Sequence, residues 1–228
     1  MAKVMFGNGI AEIRGSIAGN VYSRGSYGAY IRNRVTPSNP STVAQQAVRA
    51  ALAEVAQGWS GLTEAQREQW NTQAPNFSHT NIFGQGQNLT GFNLYGRINK
   101  NILDIGGATV SVPPVVTSVT NVTSLTLTAD TTAGTMEAAF TPAIPATQTM
   151  VVWATAPQSA GKQFVKSEYR IIDTLLAADT TPEDLAAAYI TKFGALPQVG
   201  QKVFIKFVPV ITLKGLKGTG FSSSDIAV

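Results

Sequence analysis

The 228-residue sequence predicts an α+β protein in three parts. They are an extended N-terminal β-arm over residues 1–36, a helical module of three helices over 37–111, and a β-sandwich with one inserted helix over 112–228. Three observations carry this reading. Residues 1–35 are dense in glycine, with Ile, Val and Tyr between. Residues 42–107 repeat apolar side chains at helical spacing behind N-capping signals. From residue 112 onward, threonine-rich alternating runs replace the helical periods, with turn signals spaced as in a sandwich.

In the arm, Ile13, Gly15, Ile17 and Gly19 share one parity, and Tyr30 to Val35 has the composition of a strand. One or two hairpin strands are expected, turning at Ser23 to Gly28. Such a segment buries no core alone and needs another surface. Lys3, Arg14, Arg24, Arg32 and Arg34 stand against Glu12 as the one acidic residue of residues 1–40. Arginine suits a desolvated interface because its planar fork grips carboxylates bidentately and is weakly hydrated. Arg14, Arg24, Tyr27, Tyr30, Arg32 and Arg34 are therefore the candidate interface residues.

Pro37 and Pro40 stop any strand ladder. Thr42 and Gln45 then form a capping box, and Ala44, Val48, Ala51, Leu52, Val55 and Trp59 fall on one helical face, with Gly58 as the stop. Thr63 and Gln66 repeat the box for a second helix ended by Pro75. Trp59, Leu62 and Trp70 are the expected core of this corner. Residues 76–88 read as a loop. A third helix opens at Thr90, presents Phe92, Tyr95, Ile98, Ile102 and Ile105, and closes at Gly106-Gly107.

Beyond Pro113-Pro114, strands are expected at Leu125–Thr128, Thr135–Thr141, Thr149–Thr155, Glu168–Asp173 and Lys202–Ile211. Trp153 and Tyr169 fall in these runs and read as core. The inserted helix is expected to be capped by Thr181, with Pro182 at its first position, Glu183 and Asp184 complementing the dipole, and Phe193-Gly194 closing it. The last long run, its glycine-rich turn and the final strand resemble the closing hairpin of an immunoglobulin/fibronectin-III-like sandwich.

Charged residues make up 13% of the chain, about half the usual share, which suits a surface covered by other subunits. The absence of cysteine excludes disulfides, thiolate metal sites and cysteine nucleophiles. His79 is the one histidine, so a triad has a single place to form. No nucleophile elbow, zinc-protease helix, P-loop or dinucleotide fingerprint occurs. The expectation is a protein that is not an enzyme and takes no cofactor or metal. No run nears the roughly 18 apolar residues of a membrane span, and the first ten residues lack a secretory apolar region.

The run from Gly28 to Pro40, then Thr42, Gln45-Gln46, Val48-Arg49, Trp59, Leu62-Thr63, Gln66-Arg67 and Trp70, resembles a module of bacteriophage virion structural proteins. Leu89 to Asn99 resembles its continuation, so the likeness covers about residues 7–107. It implies a non-enzymatic virion subunit, capsid-associated (auxiliary) or tail-associated. Its partners would be other virion proteins, and it would be multi-copy or homo-oligomeric. One alternative is a binding module for a host-surface glycan or protein. Another is nucleic-acid binding by the interleaved basic and aromatic residues of the arm. It ranks behind an arm whose arginines pair with acidic residues of a neighbouring subunit. The helix pair around Trp59 is no helix-turn-helix reader, because its second helix carries Glu64 and Glu68 beside Arg67 and would repel a phosphate backbone.

Overall fold

The computed structural model describes residues 2–5, 7, 9–25, 28–77, 79–80 and 83–228. The fold is α+β, built from helices and several antiparallel sheets. The chain divides into two compact units, residues 1–49 with 78–88 and residues 50–77 with 89–228. The first extends beyond the arm expected at 1–36. The second joins helices to the strands that follow residue 111.

In the first unit, β1 (Ala2–Lys3), β2 (Gly15–Ile17), β3 (Asn20–Gly25) and β4 (Gly28–Asn33) form an antiparallel sheet in the order β1-β4-β3-β2. This is more structure than the one or two hairpin strands expected. The extra strands come from the tight turn at Ala18-Gly19, which pairs Ile17 with Asn20, and from the return of the chain start alongside β4. The Arg34 amide donates to the Gly19 carbonyl at 2.7 Å and the Val4 amide to the Ala29 carbonyl at 3.1 Å, extending the ladders.

The long helix α1 (Val43–Ser60) starts at the expected box, where the Gln45 amide donates to Thr42 Oγ1 and the Thr42 amide donates to Gln45 Oε1. It does not stop at Gly58. A Cβ on Gly58 would sit 2.5 Å from the Tyr95 hydroxyl, so this glycine makes room for a neighbour rather than ending a helix. Helix α2 (Glu64–Gln73) carries the complete Thr63/Gln66 capping box, and Pro75 lies in a 3₁₀ turn, Ala74–Asn76. The region expected to be a loop contains a short antiparallel pair, β5 (His79–Thr80) with β6 (Gly86–Gln87). Helix α3 (Gly91–Asp104) is capped by Thr90, and its C-terminus folds back through the Gly107 amide onto the Ile102 carbonyl.

In the second unit, Val55, Leu62, Trp70, Ala74, Leu94, Tyr95, Ile98 and Ile102 make a helical core. Trp70 is fully buried, whereas Trp59 is half-buried at the rim, against Phe92 and Tyr95. Two buried asparagines on α3 tie this core to the rest of the unit. Asn99 accepts from the Val110 amide at 2.6 Å and donates to the Tyr95 and Val110 carbonyls. Asn101 donates to the Gly215 carbonyl at 2.8 Å.

The strands are β7 (Ser124–Asp130), β8 (Thr135–Thr141), β9 (Gln148–Ala154), β10 (Gln158–Ser159), β11 (Arg170–Leu175), β12 (Glu183–Asp184), β13 (Gln201–Ile211) and β14 (Phe221–Ile226), with α4 (Ala186–Phe193) between β12 and β13. One sheet has the order β12-β8-β7. The other has the order β10-β13-β9-β11, with β14 paired to β13. β9 and β10 both pair with β13 along the edge opposite β14. Alternation in β7 and β8 sends Leu125, Leu127, Met136, Ala138 and Phe140 inward, where they share one apolar cluster with Val152, Leu175, Val203, Ile205 and Phe207 of the other sheet. Tyr189 of α4 lies in the same cluster and donates its hydroxyl to the Thr155 carbonyl at 3.0 Å.

The helix start differs from expectation. Thr181 Oγ1 accepts from the Phe140 amide instead of capping, and Glu183-Asp184 pair with β8 as a strand. Asp184 accepts from the amides of Met136 and Ala186, so the helix begins only at Ala186. Its end is as the sequence implies, with Gly194 left-handed at φ 90°.

Candidate interaction surfaces

The arm sheet has two faces set by its register. Val21 pairs with Arg32 and Ser23 with Tyr30, placing Tyr30, Arg32, Val21 and Ser23 on one face. Tyr22 pairs with Ile31 and Arg24 with Ala29, placing those four on the other. Tyr30, Tyr22, Val21 and Ile31 are half-buried, and Arg14, Arg24, Arg32 and Arg34 are exposed. Among the described residues of the first unit, none is buried. Tyr27 lies outside the described residues. Arg14 and Arg24 both turn to Glu12, at 3.0 and 3.7 Å. Among the described residues, no ion pair is formed by Arg32 or Arg34.

The helical corner has a different role. Leu62 and Trp70 face inward, and Trp70 Nε1 donates to the Ser111 carbonyl at 2.8 Å. Arg67 donates to the carbonyls of Trp59 and Ser60, at 3.4 and 2.8 Å, and so holds the C-terminal end of α1.

A concentration of carboxylates at the β8–β12 pair and the neighbouring β11 went unread in the sequence. Glu137 and Asp184 stand directly opposite each other across β8 and β12. Glu183 has its carboxyl pushed up, first by burial and then by the fields of Asp179, Asp173 and Asp184. Among the described residues, none of these five is in an ion pair, and no group of His, Cys, Asp or Glu is arranged to hold a metal. Like charges directly opposed in a sheet are destabilising. Replacing one, Glu137→Gln, should therefore raise stability by about 0.2–1 kcal/mol at neutral pH. The folded state favours protonated Glu183, so that contribution is present at low pH and fades as pH rises through the raised pKa. Glu183→Gln should flatten this part of the profile, measured by thermal melting from about pH 4 to 8. An unchanged slope would contradict the clustering.

Trp153 and Tyr169 are not core. Pairing of Trp153 with Ile171 and Lys206 places it on the outer face of the larger sheet, half-buried. Tyr169 also sits there, beside Ser222 in the lining of one recess and with its ring 5.9 Å from Lys206 Nζ. Phe164, Tyr169, Phe204, Ser222 and Ser224 line a recess of about 230 Å³, and Phe164 is 73% exposed.

Among the described residues, no helix is long and apolar enough to cross a membrane. No family model, curated protein or solved structure matches the chain.

Proposed function

We propose that the chain is a non-enzymatic structural subunit of a bacteriophage virion, capsid-associated or tail-associated, docked through its N-terminal arm. The observation that carries this reading is a formed sheet with no buried residue among those described, bearing tyrosines and arginines of the kind that anchor interfaces. A four-stranded sheet with both faces half-open gains its stability from what it packs on. The second unit supports the reading as an immunoglobulin/fibronectin-III-like sandwich that projects from the assembly. Taking β7, β8, β9, β12, β13 and β14 as A, B, C, E, F and G, one sheet holds A, B and E and the other C, F and G, as in that scheme. Here β11 pairs with C. Mass spectrometry of purified particles is the test. The chain should be present in many copies per particle. Its absence from particles that carry the other structural proteins would overturn the reading.

The outer-face recess favours a second reading, recognition of a host-surface glycan. One exposed ring, Phe164, and the half-buried Tyr169 beside serine hydroxyls supply stacking and hydrogen bonding together. Phe164→Ala with Tyr169→Ala should then abolish adsorption to host cells without altering particle composition.

A further inference from the structure

Resting on the reading of the arm as a docking element, we infer that its partner is a second copy of this chain, the basic arm sheet of one copy seating on the acidic edge of β8, β11 and β12 of the next. The arm brings five basic residues against one acidic residue within residues 1–40. Glu12 is already shared by Arg14 and Arg24, which leaves Arg32 and Arg34 with no ion pair among the described residues. Arg32 shares a face with Tyr30 and Val21, so its charge stands beside apolar area that an occupant would cover.

The complementary surface lies in the same chain. Five of the eight acidic residues of 112–228 gather at this edge: Glu137, Asp173, Asp179, Glu183 and Asp184. The opposition of Glu137 and Asp184 persists with no cation beside either among the described residues, a repulsion that docked guanidinium groups would convert into attraction. β11 and β12 are also the outermost strands of their sheets, so the edge is open to a neighbouring chain. Because the two patches differ, the contact is heterologous. Copies add head to tail, closing into a ring or continuing as a filament according to the rotation per copy. Multi-copy architectures of either kind are built this way.

Charge reversal on the full-length chain tests the pairing. Among the described residues neither Glu137 nor Glu183 forms an ion pair, so Glu137→Lys with Glu183→Lys reverses the charge of the edge without breaking one. Arg32→Glu with Arg34→Glu changes the arm. In sedimentation velocity at low salt the parent chain should self-associate and should dissociate in high salt. Each double variant, folded by circular dichroism, should associate at least tenfold more weakly, by about 1.4 kcal/mol. An equimolar mixture of the two variants should regain association, since each supplies the patch the other has lost. If the reversed edge fails to fold, Glu137→Gln with Glu183→Gln takes its place and should weaken self-association in the same direction. A parent chain that stays monomeric at every concentration and salt, or a mixture that stays dissociated, overturns the inference. So does association that is restored only by added DNA. A chain that is monomeric alone but abundant in particles would overturn self-docking and leave the virion reading standing.

Discussion

Trp70→Ala should destabilise the chain by about 3–5 kcal/mol. The indole is fully buried, stacks edge-on against Tyr95 with ring centres 5.1 Å apart, and donates Nε1–H to the Ser111 carbonyl at 2.8 Å. Truncation opens a cavity where α2 packs on α3 and removes a hydrogen bond linking the corner to the segment after α3. Urea unfolding followed by circular dichroism measures the loss, and Trp70→Phe should recover the packing part of it. A change below about 1 kcal/mol would mean that the corner is not a core. Trp59→Ala should have a smaller effect, because that ring is half-buried at the rim.

Gly215→Ala should have the second largest effect, a loss of about 2 kcal/mol or more. Gly215 holds φ 59°, in the left-handed region, and an added Cβ would run into the Ile98 carbonyl oxygen and the Ile102 side chain. Its own carbonyl accepts from Asn101. The turn after β13 therefore abuts α3 so closely that no side chain fits. A fall in Tm of about 4 °C or more is expected, and a parent-like melt would contradict the close approach.

The helices were the most legible part of the sequence, since a capping box and a 3.6-residue apolar period act within a few residues of each other. The errors have local causes. Gly58 looks like a stop, but the reason for glycine there is the Tyr95 hydroxyl, about 37 residues away in sequence and adjacent only after folding. Glu183 and Asp184 look like the acidic first turn of a helix, yet the Met136 amide on a neighbouring strand claims Asp184 first. Trp153 reads as core because residues 150–153 are apolar without a break, and parity shows a face only where apolar and polar residues alternate. The acidic edge left no sequence signal. Its members span residues 137 to 184: Glu137 and Asp184 meet through the β8–β12 pairing, and Asp173 of β11 and Asp179 come within the field of Glu183 only in the folded chain. The arm's basic charge was legible as composition, whereas its four-strand order depends on turns that single residues such as Ala18 close.

The most direct test of the docking account is the abundance in purified virions of the double variant Arg32→Ala with Arg34→Ala. Both side chains are exposed on the free chain, so the variant should fold and melt like the parent. Truncating one side of a charge pair that becomes desolvated on docking weakens the contact by about 2–5 kcal/mol, enough to keep the variant out of assembled particles. Quantitative mass spectrometry should therefore find the folded double variant in the lysate and depleted at least tenfold from virions. Incorporation at parental levels would contradict the account.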